Sequence, residues 1–342
     1  MKKVKISLGI TLLILSTYVF GNTTQFIAAK IIDNDNQTEE AFTSRGGMEG
    51  WAKVSFIIDE DGNTRDIVVF DNSGKDRYTT KTIRYIKNLK YAPARANDNP
   101  VSSAKNMFIT HTYSEAGHSE ASITPAFARE YQLIMDSFAN SSANMNDVNQ
   151  LIDKLVDDHT KNLNEHALAA WLKSIYYYKI QDFLEYMRQS QITVDLYQYL
   201  PIAILAKSSV NLFESQLYYG YFSEAKQTLS RMGNTDGLNL SEQTQAEFLG
   251  LLKDKMASES DKVIKGKLTH LGAWSYDHQI PKFQIKLTNG NIDSVELRCN
   301  RFQQKYTSNR QNTMEIPSQA NGCILLIQGD VGTTFDVIET AI

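Results

Sequence analysis

Between residues 50 and 113 the hydrophobic period changes from two to about 3.6 and back to two. Few folds accommodate that order. Ala52, Val54, Phe56 and Ile58 alternate with Lys53, Ser55, Ile57 and Asp59, the pattern of a strand. Glu60-Asp61-Gly62-Asn63 reads as a hairpin turn, because glycine tolerates the positive φ such turns need. Ile67-Val68-Val69-Phe70 is the returning strand. Tyr78, Thr82, Tyr85, Ile86 and Leu89 then recur at helical spacing, which places one helix face on the sheet. Pro93 is expected to end that helix, and residues 106–113 supply a last strand. The segment is therefore a ββαβ unit.

The rest of the 342 residues divides by period in the same way. Residues 22–42 are polar at their centre, Asp33-Asn34-Asp35-Asn36-Gln37, and read as a loose lead-in to a domain over 43–114. Residues 115–124 form a short linker. Thr124-Pro125 opens a helical region over 125–260, with threonine as the cap and proline at the first helical position. Leu168, Leu172, Ile175, Phe183, Leu184 and Met187 form apolar stripes, and Ser241 caps a last helix. From 262 to 342 the period returns to two: Phe283, Ile285 and Leu287 alternate, then Val295, Leu297 and Cys299. This predicts a small all-β domain of five to seven strands. The fold class is α+β and multidomain.

Residues 1–21 read as an export signal. Lys2, Lys3 and Lys5 precede an apolar run over 6–20, and Val19-Phe20-Gly21 offers a cleavage site. That run would span about 22 Å as a helix, short of the ~30 Å hydrocarbon core of a bilayer. A cleaved signal is the expected outcome, and a retained anchor is the alternative. In an oxidising compartment the two cysteines, Cys299 and Cys323, read as one disulfide tying two strands. Closing that loop would contribute about 3 kcal/mol by chain-entropy arguments. A net charge of −4 argues against a general nucleic-acid or anionic-membrane surface.

No motif for nucleophilic, metal-assisted or phosphate chemistry is present, so no enzyme, cofactor or metal is expected. Asp59-Glu60-Asp61-Gly62 superficially suggests a calcium loop. Its glycine comes too early, however, and Phe70 stands where a bidentate glutamate belongs. His111 and His118 read as solvated loop residues.

Three stretches in order carry a family resemblance: Gly50-Trp51 through Phe56, Asp59 and Gly62; Lys90-Tyr91-Ala92-Pro93-Ala94 after the helix; and Pro100-Val101. Together they resemble the TonB C-terminal domain family. That resemblance implies a sheet edge to which an extended segment of an outer-membrane receptor adds as a further strand. By position the edge is Asn106, Met107, Phe108, Ile109, Thr110, His111, Thr112 and Tyr113. Gly62, Tyr91 and Pro93 read as scaffold rather than site.

A second resemblance covers Leu212-Phe213, Leu217, Gly220-Tyr221-Phe222-Ser223-Glu224-Ala225, Leu229 and Met232, which looks like one tetratricopeptide unit. A plain helical bundle is the alternative. Tyr176, Tyr177, Tyr178, Tyr218 and Tyr219 are candidates to line a concave helical surface, and the alternative is that half of them are core.

Energy transducers of this family carry an anchor and a proline-rich spacer, whereas this chain has 6 prolines in all. The expectation is therefore a periplasmic binding protein whose partner is an outer-membrane receptor or another envelope protein. A membrane-anchored transducer and a non-energised envelope scaffold that binds the cell wall are the alternatives.

Overall fold

A computed structural model describes residues 26–32, 48–112, 123–238, 240–258, 261–278, 282–307, 313–316 and 321–340. The export segment, the polar centre of the lead-in and all but the end of the linker, together with Tyr113 and His118, lie outside the described residues.

Strands β3 (Gly50–Ile58) and β4 (Thr64–Asn72) form the expected hairpin, and β8 (Ser103–His111) pairs on the far side of β3. The turn is held locally, because Asp59 Oδ1 accepts from the N–H groups of Asp61 (3.0 Å) and Asn63 (2.7 Å). Gly62 has φ +82°, and a Cβ there would lie 1.9 Å from the Tyr91 carbonyl oxygen. Only glycine satisfies both conditions. Helix α1 (Asp76–Asn88) lays Tyr78, Thr82, Tyr85 and Ile86 on the sheet. The core beneath it is Ala52, Val54, Phe56 and Ile58 with Tyr91 and Ile109. Each large side chain buried there stabilises the fold by about 1.5–3 kcal/mol.

Three expectations for this region are corrected. The helix ends at Leu89, whose N–H bonds back to the Ile86 carbonyl, and Pro93 lies beyond it between β5 (Tyr91–Ala92) and β6 (Ala94–Ala96). The last strand begins at Ser103, three residues earlier than expected, because Ser103, Ala104 and Lys105 continue the ladder opposite Ile58, Ile57 and Phe56. The lead-in is not wholly loose. Its strands β1 (Phe26–Ile27) and β2 (Lys30–Ile31) pair with β6 and β5. Strand β7 (Asn99–Val101) closes a hairpin with β6 through Asn97 and Asp98, both at positive φ.

Thr124 Oγ1 accepts from the Phe127 N–H and starts α2 (Pro125–Ala139) as expected. Then follow α3 (Met145–Lys154), α4 (Leu163–Lys179), α5 (Phe183–Asp195), α6 (Ile202–Tyr218), α7 (Phe222–Asn234) and α8 (Glu242–Ser258). From α4 onward each helix packs on the next. Gly220 makes the α6–α7 turn at φ +78°, and the Thr244 N–H bonds to Ser241 Oγ at the head of α8.

The C-terminal region has eight strands among the described residues, more than expected. They are β9 (Asp261–Lys267), β10 (Ala273–His278), β11 (Lys282–Asn289), β12 (Ile292–Asn300), β13 (Phe302–Thr307), β14 (Met314–Glu315), β15 (Asn321–Gly329) and β16 (Thr334–Thr340). They form two four-stranded sheets, β10-β15-β12-β13 and β14-β11-β16-β9. The extra strands are short or follow turns that blur a period-two signal. Cys299 and Cys323 are bonded across the neighbouring strands β12 and β15, as expected. Met187, Val194, Leu212 and Tyr221 of the helices join the same core as Leu297, Leu325 and Phe335 of the strands. Among the described residues, no helix is long and apolar enough to cross a membrane.

Candidate functional site: the outer edge of the N-terminal sheet

Strand β8 runs in unbroken register along β3 for nine residues, from Gly50 opposite His111 to Ile58 opposite Ser103. Among the described residues no strand pairs with its outer side. An edge of this kind presents a row of backbone donors and acceptors that a further strand can take up.

The opposite edge strand, β4, is irregular. Its register with β3 shifts twice, around Phe70 and around Asp66. A bulge leaves a residue out of the ladder, and here both backbone carbonyls are taken by the C-terminal region. Thr269 Oγ1 donates to the Phe70 carbonyl (2.5 Å), and Arg298 Nη1 donates to that of Asp66 (2.9 Å).

Arg298 is 1% exposed. Its Nε and Nη2 donate to Glu296 Oε2 at 2.8 and 2.6 Å, and Nη1 also reaches Ser55 Oγ at 3.2 Å. A buried guanidinium is tolerated only when its charge and its N–H groups are matched in this way.

The face of the sheet away from α1 is also covered. Trp51 and Phe108 stack there (5.6 Å between centroids) and pack with Leu163, Ala167 and Ile192 of α4 and α5. Lys53 pairs with Asp195 at 2.8 Å, and Arg231 of α7 reaches the same carboxylate at 2.9 Å. The two cations hold the Asp195 carboxyl below its usual range against the effect of burial. Nearby Arg188 bridges Asp71 of β4 (2.8 Å) and Glu185 (2.9 Å), and Lys267 reaches Glu185 at 3.2 Å. A cavity of about 140 Å³ lies where the three regions meet, against Asp71, Arg188, Lys267 and Trp274. Lys53 and Ser55, which alternate with the core residues of β3, face this polar internal junction.

Of the expected edge residues, Asn106 to His111 lie in β8, Thr112 follows it, and Tyr113 is outside the described residues. Asn106, Phe108 and Thr110 share one face, and Met107, Ile109 and His111 the other. Ile109 is a core residue and His111 is fully buried. The expectation of a solvated His111 is therefore corrected. Its Nε2 is 2.9 Å from Thr82 Oγ1, and its ring stacks on Tyr78. Burial, reinforced by the charge of Lys81, pushes its pKa down to about 4, so the ring is neutral at pH 7.

A second concavity, about 760 Å³, lies between α4, α5 and α6. Tyr178, Tyr218 and Tyr219 line it, as expected, and Trp171, Phe183 and Tyr186 join them. Tyr176 is buried instead in the core shared by α2, α3 and α4, with Tyr177 packed against that core. Helical spacing puts three consecutive tyrosines on three faces, so at most one could point into the groove. Tyr186 was findable only by fixing how α5 turns back on α4.

Fold and edge together define a class: a strand-helix module with one regular sheet edge that, among the described residues, no strand covers, mounted on a helical and β-sandwich body. Residues 43–108 match the family model described as Gram-negative bacterial TonB protein C-terminal. That match covers about a fifth of the chain and stops inside β8. No curated protein matches the chain.

Proposed function

We propose that this is a periplasmic, TonB-like binding protein. Its N-terminal module takes up an extended segment of an outer-membrane receptor, or of another envelope protein, as a fourth strand outside β8. The observation that carries this reading is the coincidence of the family match with a nine-residue strand whose outer side has no strand partner among the described residues. Main-chain hydrogen bonds give affinity in such a mode, and alternate side chains give selectivity. The role is one of binding rather than catalysis, in or near outer-membrane transport. The helical region acts as a tetratricopeptide-like platform whose tyrosine-lined groove receives a second protein. Serial packing of α4 to α8 and the exposed ring of Tyr218, 76% accessible, support that part.

The test is site-specific photo-crosslinking in cells. Probes replacing Lys105 and Thr112 at the ends of β8 are expected to capture an outer-membrane receptor. A probe replacing Ile67 of β4 is expected not to. Equal capture from both strands, or capture from neither, would end the strand-addition reading. A proline at Ile109 is less useful, because that side chain is 3% exposed and belongs to the core.

A further inference from the structure

The groove between α4, α5 and α6 is built from one stripe on each of two helices. Helix α4 presents Trp171 and Tyr178, and α6 presents Lys207, Glu214 and Tyr218. Spacings of four and seven keep each set on a single helix face. Helix α5 packs against both neighbours and adds Tyr186.

The charged residues that line this groove, among the described ones, are Lys207 and Glu214, and both are exposed. They stand seven residues apart on α6, which at roughly 1.5 Å of rise per residue separates them by about 10 Å along the helix. Lys207 Nζ sits 5.8 Å from the Trp171 ring centroid, so one end of the groove already carries an ammonium against an aromatic ring. Glu214 lies toward the other end, among tyrosines. Tyr218 follows it by one turn, and the rings of Tyr178 and Tyr186 lie 5.4 Å apart between centroids. Burial holds the Tyr186 hydroxyl above its usual range, and the charge of Glu214 adds to that shift. Aromatic faces are electron-rich, and a carboxylate beside them makes the same place more favourable for a cation. Around Lys207 the sign is reversed.

We propose that the groove takes an extended segment of a partner protein that carries a lysine or arginine and, three positions away, an aspartate or glutamate. The basic side chain lies among Tyr178, Tyr186 and Tyr218 with its charge toward Glu214, and the acid meets Lys207. Three residues of extended chain span about 10 Å, which matches the separation of the two charges on α6. The inference rests on reading the groove as a surface that receives a protein. Because its ends differ in sign, a segment lies in one direction only, set by the order of its two charges.

The experiment pans a phage-displayed library of random dodecapeptides on the full chain, with Y218A protein as the counter-selection. Selected sequences are expected to pair a basic residue with an acidic one three positions apart. A selected peptide should bind the E214Q variant about fivefold more weakly at low salt, the effect of one exposed ion pair. That loss should shrink at high salt. In a repeated selection K207Q should release the acidic position and keep the basic one. The charge reversal E214K should replace the basic residue by an acidic one. Lys207, Glu214 and Tyr218 are all exposed, so these changes leave the helices folded.

Peptides selected through Tyr218 but without an opposite-charge pair at that spacing would overturn the charge inference and leave the groove as a protein-binding surface. A library that yields no peptide dependent on Tyr218 would overturn both. Hexamers of N-acetylglucosamine serve as the competing probe. Their retention through Tyr218, with no such peptide selected, would assign the groove to a glycan and overturn the proposal.

Discussion

The two outer strands of the N-terminal sheet, β4 and β8, have nine residues each and flank the same central strand, yet their edges differ. Strand β4 bulges twice, and the C-terminal region takes the two carbonyls that the bulges release. Strand β8 keeps its register throughout, and the C-terminal region meets its first half by side chain and flanking loop, where Asn106 Nδ2 donates to Ser275 Oγ at 3.0 Å and the Arg301 N–H bonds to the carbonyl of Ser102, just before the strand. Irregular backbone invites side-chain capping, and regular backbone is what another strand can copy. The body of the protein thus caps the backbone of one edge and, among the described residues, pairs no strand with the other.

The largest effect that would break this contrast is expected from Arg298→Ala. It leaves Glu296 buried with Lys305, at 3.3 Å, as its remaining cation among the described residues. Loss of one partner from a buried pair costs about 3–5 kcal/mol. Denaturant unfolding should show that loss. Amide exchange should quicken over residues 64–72 before it does over residues 103–111. Simultaneous quickening in both strands would show that the clamp supports the whole sheet and not β4 alone.

Acidification should act on the other edge. The folded-state pKa of His111 lies at about 4, below its ordinary value of 6.5, so the neutral ring stabilises the native state. That contribution is complete above pH about 6.5 and is lost as pH falls toward 4, at no more than about 1.4 kcal/mol per pH unit for one group. His166, also pushed down to about 4, adds a parallel loss from α4. Replacing His111 with glutamine should flatten the pH dependence of exchange in β8 and leave the component from His166. An unchanged profile would remove His111 from the account.

The smallest effect concerns Thr269→Val. It removes the hydrogen bond to the Phe70 carbonyl and should cost about 1 kcal/mol. Exchange near Phe70 should rise while peptide binding at β8 stays the same. Altered binding would mean that the two edges communicate through β3.

Much of the N-terminal module was legible because its signals are local. The Asp59 turn, the glycine at position 62, the α1 stripe of Tyr78, Thr82, Tyr85 and Ile86, and the Thr124 and Ser241 caps each depend on residues within a few positions. The cysteine pair was legible for a different reason: two cysteines allow one intramolecular partnering. Strands of two residues, such as β1 and β2, carry no period to detect, and their partners lie about sixty to seventy residues away. The start of β8 was hidden by Ser102, Ser103 and Ala104, which are too small and polar to mark a strand alone. The candidate edge could be placed to within a few residues, but not the burial of Ile109 and His111 within it.

By itself the sequence determined the order of the elements, the ββαβ unit, its turns and caps, and the pairing of Cys299 with Cys323. Those outcomes follow from backbone propensity and from side-chain periods of 2 and 3.6, which act over a few residues. Only the tertiary structure decided that Ser55 and Lys53 face a buried junction, that Arg298 closes β4, and that β8 keeps a strand-free outer side among the described residues. Those depend on residues more than a hundred positions apart meeting, and no local period records such a meeting.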